Sequence, residues 1–169
     1  ADETDRETIK AVSGLYKKIN LARAYFSAFQ PVTGTPLENH PPVPLAREHR
    51  LYQVDFLMRK YGYKYADIIF DKTGNLPLEV DPKTLWAKKN KKIFPLEVNR
   101  AELQELLRVP GIGPLGARKI INARRSGKIS GTGDLKAMGI SLNRCAEYLL
   151  INGRRPRAEQ MYFNFKAAV

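Results

Sequence analysis

Between two stretches of helical pattern lies Leu107-Arg108-Val109-Pro110-Gly111-Ile112-Gly113-Pro114, where residue types and spacing could hold a phosphate. A glycine on each side of an apolar residue leaves backbone amides bare. Bare amides opening a helix are ready donors to an anion, so the turn points to a nucleic-acid backbone.

Two helices must present that turn. Over Asn99 to Leu107, Asn99 is the predicted N-cap with Glu102 three residues on, and Leu103, Leu106 and Leu107 share a face. Pro114 to Arg125 starts with proline at the first helical position, carries Leu115, Ile120 and Ile121 on one side, and adds Arg118, Lys119, Arg124 and Arg125. The second helix is therefore basic.

Charge supports the same partner. Lysine and arginine exceed the acids by 12 in 169 residues, and residues 99–169, with 13 basic and 5 acidic side chains, hold eight of that surplus. Such an imbalance favours a polyanion over a merely solvated basic face, the more so where it coincides with the glycine turn. The rest of the composition, 43% hydrophobic and 27% charged, is that of a globular chain of one or two domains. A lone cysteine, Cys145, excludes an internal disulfide and a multi-cysteine metal site and reads as a small core residue. With no long apolar run and no signal-peptide pattern, the expectation is a soluble, cytoplasmic protein with no membrane partner. The opening Ala1, in place of Met, reads as a trimmed or partial chain.

Elsewhere the pattern predicts a helix over residues 4–20, opened by Thr4-Asp5-Arg6-Glu7 and lined by Ile9, Val12, Leu15, Tyr16 and Ile19. Arg23 to Gln30, aromatic-rich and closed by Pro31, suits a strand, one that would complete a sheet outside this chain unless residues 66–80 supply partners. Five prolines between Pro31 and Pro44 mark a connector. Leu45 to Tyr61 is a predicted amphipathic helix stopped by Gly62. Ala66–Phe70 and Leu76–Val80 around Asp71-Lys72-Thr73-Gly74-Asn75 are a predicted β-hairpin, and Asp81-Pro82 opens a short helix with Trp86. The run Lys88-Lys89-Asn90-Lys91-Lys92 is a solvated surface or a phosphate contact. Thr132–Met138, Gly139–Leu142 and Asn143–Leu150 repeat helix, turn and helix in degenerate form, with one glycine where the first copy has two. Arg154, Arg155 and Arg157 follow, and Tyr162, Phe163 and Phe165 in the tail either stack on bases or dock onto the core.

The segment Phe94 to Gly153, through Val109-Pro110-Gly111-Ile112-Gly113, resembles the tandem helix-hairpin-helix module of DNA-repair and DNA-uptake proteins. That resemblance implies that Gly111, Ile112 and Gly113 hold a phosphate of double-stranded DNA without reading bases, glycine supplying positive φ and close approach. It also implies that neighbouring basic side chains, Arg108, Arg118, Lys119 and Arg124 here, reinforce the grip. Many members place Lys or Arg two residues after the second glycine, where this chain has Leu115. Most of the chain is also similar to the C-terminal part of a DNA modification or repair protein of the radical SAM superfamily. The residues that carry this are Glu3–Glu7, Tyr25–Leu37, Arg47–Gln53 and Val98-Asn99-Arg100. This implies that an iron-sulfur cluster and S-adenosylmethionine belong to a longer parent protein, since the three-cysteine motif is missing here.

The expected fold is thus α+β and mainly helical, in four parts. Residues 1–44 are a helix-strand remnant of a larger barrel with a proline connector, and 45–93 a helical linker region with a β-hairpin. Residues 94–153 are the tandem helix-hairpin-helix domain, and 154–169 a basic, aromatic tail. The expected function is non-sequence-specific DNA binding, with a protein-interaction scaffold as the alternative. No catalysis by this chain alone is expected: its two histidines, His40 in the proline loop and His49 beside Glu48, have no nucleophile or metal-ligand pattern near them.

Overall fold

A computed structural model describes residues 3–156, which fall into two compact units dividing between Asn90 and Lys91. The architecture is mainly helical α+β. Seven α-helices and one two-stranded parallel sheet are present among the described residues, and none of those helices is long and apolar enough to cross a membrane. Arg157, Tyr162, Phe163 and Phe165 of the predicted tail lie outside the described residues.

In the first unit, α1 (Asp5–Ile19) starts where predicted. The Glu7 amide donates to Thr4 Oγ1 and the Thr4 amide to Glu7 Oε2, and Asn20 ends the helix in the left-handed region. Helix α2 (Leu45–Lys60) buries Leu51, Val54 and Leu57 against Ile9 of α1. Tyr63, Ile68 and Leu76 complete this core, with Phe26 and Trp86 at its edge. Asp81 caps α3 (Pro82–Lys89) through the Thr84 amide, and Pro82 fills the first helical position.

Among the described residues neither β element predicted here forms. Arg23–Gln30 has no partner strand; instead the alternate amides of Ala24, Phe26 and Ala28 donate to Tyr16 Oη, Tyr52 Oη and Glu48 Oε2 at 3.0, 3.1 and 2.8 Å. Side chains of α1 and α2 thus do for this segment what a neighbouring strand would. The Ala66–Phe70 and Leu76–Val80 arms are likewise spent elsewhere. Residues Tyr65–Asp67 coil into a 3-10 turn, the Leu76 amide donates to Asp5 Oδ2, the Gly74 carbonyl accepts from the Arg6 amide, and Arg50 binds the Leu78 carbonyl. Only the Asp71-to-Asn75 turn survives from the predicted hairpin, closed by Asp71 N donating to Asn75 O and by Asp71 Oδ1 accepting from the Thr73 and Asn75 amides.

Two fully buried acids, Asp5 and Asp55, organise this unit. Asp5 takes Arg47 Nε at 2.6 Å as well as the Leu76 amide. Asp55 takes Nε and Nη2 of Arg59 at 2.9 and 2.6 Å on one oxygen and the Tyr16 hydroxyl on the other. Burial, and then the Asp55 carboxylate, hold the Tyr16 phenol above its ordinary pKa.

The second unit is tied end to end by strands β1 (Leu96–Glu97) and β2 (Leu149–Leu150), parallel, with Leu96 opposite Leu149 and Glu97 opposite Leu150. Between them run α4 (Leu103–Arg108), α5 (Pro114–Ser126), α6 (Thr132–Ala137) and α7 (Leu142–Cys145). Two boundaries differ from expectation. The N-cap of α4 is Glu102, with the Glu105 carboxylate on its amide; Asn99 instead clamps Ile129, donating Nδ2 to its carbonyl and accepting its amide at 2.9 Å each. The helix predicted over Asn143–Leu150 ends at Cys145, because Leu149 and Leu150 are taken up in the sheet.

Glu97 closes the unit with its side chain, which accepts the Asn99, Asn152 and Gly153 amides at 3.2, 3.2 and 2.8 Å. Burial alone would raise its pKa; the three amides outweigh it and set the group below its ordinary 4.5. A carboxylate depressed on folding adds stability above its unfolded pKa and loses it as pH falls through the folded one. In an NMR titration the Gly153 amide proton should therefore shift with a midpoint below 4.5. Glu97→Gln should abolish that titration, and a midpoint at or above the ordinary value would refute the account.

Candidate nucleic-acid interface

The turn between α4 and α5 is closed by the Ile112 amide donating to the Val109 carbonyl at 3.1 Å, and α5 starts with Ala117 N on Gly113 O at 2.8 Å. Ile112 is buried and anchors the turn, while Gly111 and Gly113 on either side are half-buried. Among the described residues the amides of Gly113, Leu115 and Gly116 donate to no acceptor. These are the free donors at the N-terminus of a 13-residue helix, where the helix dipole favours an anion.

The two glycines differ in conformation. Gly111 stands at φ +82°, and a Cβ there would lie 2.8 Å from Arg144 Cβ on α7. Gly113 is extended at φ −96°, ψ 177°, which any residue can adopt. Gly111 is therefore needed by the fold, whereas the backbone at Gly113 does not require a glycine.

The degenerate copy repeats the positive-φ glycine and the buried isoleucine, though not the closing hydrogen bond. Gly139 stands at φ +79° and Ile140 is buried, as Gly111 and Ile112 are, and the Ile140 amide closes on the Leu135 carbonyl. The copies pack through Gly116, whose missing side chain leaves the Ile140 side chain 3.4 Å from where a Cβ would be. Arg144 and Ile140 were not among the predicted site residues; the recurrence of Gly-Ile at Gly139-Ile140 was the signal that could have found them.

The predicted cations separate by position. Arg118 is exposed on α5. Lys119 is exposed too, but its Nζ donates to the Met138 carbonyl at 2.9 Å and bridges the two hairpins. Arg124 turns inward, its Nη1 donating to the Val98 and Ala101 carbonyls at 3.1 and 2.8 Å, which makes it first a brace between β1 and α4. Arg108, at the C-terminal end of α4, is half-buried. Exposed Arg125 and Lys128 lie at the far end of α5 from the turn.

Cys145 is buried among these hairpins, and burial pushes its thiol up to about 11. One buried, protonated cysteine does not fit an iron-sulfur cluster, so no step through a cluster is derived from these residues. Comparison of the chain with protein-family models, with curated proteins and with solved structures finds no match.

Proposed function

We propose that the second unit binds the sugar-phosphate backbone of double-stranded DNA without reading sequence, through the Gly113, Leu115 and Gly116 amides with Arg118 beside them. What carries the reading is the set of three amides without acceptors among the described residues at the start of a basic helix, in the part of the chain that holds most of the positive surplus. Phosphate contacts of this kind position a protein on DNA and carry no base information.

Leu115 supplies the test. It is 69% exposed in the first turn of α5, so substitution there spares the core. Leu115→Glu places a negative charge at the helix start, which favours the helix and repels a phosphate, whereas Leu115→Lys adds a cation beside the free amides. By anisotropy on a short duplex at low salt, the lysine variant should bind tighter, its log-log salt slope steeper by about 0.9. The glutamate variant should bind several-fold weaker with its thermal stability kept. Equal affinity in all three proteins would end the proposal.

One observation favours a second reading. Gly111 and Gly116 are consumed by packing between the hairpins, as a purely structural scaffold would require. If the basic face meets an acidic protein, an excess of unrelated duplex DNA would leave that complex intact.

A further inference from the structure

We propose that the cleft formed by the C-terminal half of α1 and the C-terminal end of α2 binds a nucleotide. The cleft measures about 710 Å³ and lies wholly within the first unit. Four cations line it, Lys17, Arg59, Lys60 and Lys64, and no aspartate or glutamate does. The basic surplus of the chain does not explain this by itself. A second cleft in the same unit, about 610 Å³, has Glu3, Asp5, Asp71 and Glu79 in its wall against Arg47.

Arg59 is prepared for an anion. Buried Asp55 takes Nε and Nη2 and leaves Nη1 without a carboxylate, so the guanidinium is held in place before any ligand arrives. Fixing a long side chain in advance removes part of the entropy cost of binding. Lys17, Lys60 and Lys64 are exposed and form no ion pair among the described residues, which leaves their ammonium groups available to a phosphate.

The remaining wall selects more than inorganic phosphate. Tyr16, Tyr63 and Tyr65 contribute aromatic surface, and Leu21 and Met58 apolar surface. Two of the rings are braced, Tyr63 edge-on against Trp86 at 5.6 Å and Tyr65 against Phe70 at 6.1 Å. Flat rings beside clustered cations suit a heterocyclic base joined to a phosphate, and the volume falls in the range of small-ligand sites, roughly 300–1,000 Å³.

The test is calorimetric titration of the full chain with AMP and UMP, and with adenosine and inorganic phosphate as separate arms. At least one nucleotide should bind about tenfold or more tightly than adenosine or phosphate alone. The double variant Lys60→Glu, Lys64→Glu alters two exposed side chains; it should weaken nucleotide binding about tenfold or more while Trp86 fluorescence stays native. Leu115→Glu should leave nucleotide affinity unchanged, so this site and the hairpin fail separately. Three results overturn the proposal: neither nucleotide outbinds phosphate, the double variant binds as the parent does, or Leu115→Glu loses the nucleotide.

Discussion

Replacing Asp55 with alanine is expected to destabilise the first unit by about 3–5 kcal/mol, a large share of what a small domain has. Asp55 is fully buried, and its two oxygens together hold Arg59 through two nitrogens and Tyr16 through its hydroxyl. Tyr16 in turn accepts the Ala24 amide, so the carboxylate also fixes the segment that leaves α1. Removing it takes the protein acceptor from a guanidinium that is only 19% exposed and from a phenol. Trp86 is the chain's one tryptophan and sits at the edge of this core, so its fluorescence in a urea titration reports this unit. The midpoint should fall sharply for Asp55→Ala. The double change Asp55→Ala, Arg59→Met should recover part of the loss, because the uncompensated charge goes with the arginine. A cost below about 1 kcal/mol for the single variant would mean that the pair contributes no more than a surface ion pair does.

How far the sequence revealed this molecule can be judged from particular residues. Local signals with a short reach were legible: Thr4 with Glu7, Asp81 with Pro82, Leu51 with Val54 and Leu57, and Gly111 with Pro114 each specify an element end or face within a few residues. Strand formation was not, because Arg23–Gln30 has the composition of a strand but its amides are satisfied by Tyr16, Tyr52 and Glu48, partners set by tertiary packing. The same applies to Asn99. As a local signal it resembles a helix cap; in the fold its side chain spans to Ile129, thirty residues on, and Glu102 caps the helix instead. Asp55 was half visible, since it follows Val54 on the buried face of an otherwise amphipathic helix, but only its distance to Arg59 and Tyr16 makes it a hub. At the hairpin the sequence showed two glycines of equal standing. Which one faces another helix depends on where α7 lies, and that information is carried by Arg144 and Cys145.

That difference sets up the second large effect. Gly111→Ala is expected to destabilise the second unit by about 2–5 kcal/mol, from about 1–2 for a left-handed backbone carrying a Cβ and about 1–3 for overpacking. The atom it meets, Arg144 Cβ at 2.8 Å, is bonded directly to the α7 backbone, and the Arg144 carbonyl carbon and Cys145 nitrogen follow at 3.5 and 3.6 Å. Relief would require α7 to move away from the turn, and Cys145 and Leu142 on α7 are both buried in the core. Gly113→Val is the counterpart, since the extended backbone at that position is one a β-branched residue adopts and a poorer N-cap costs only about 1 kcal/mol. Amide exchange at Ile120 and Leu135, both fully buried, would read the stability of the unit, and duplex affinity would be measured on the same proteins. Gly111→Ala should accelerate exchange and lose binding with the fold; Gly113→Val should keep slow exchange and still lose binding, its new side chain standing between amide and phosphate. Native exchange in Gly111→Ala would refute the packing account of that glycine. Native affinity in a well-folded Gly113→Val would refute backbone capture at this turn and leave the two hairpins as packing partners alone.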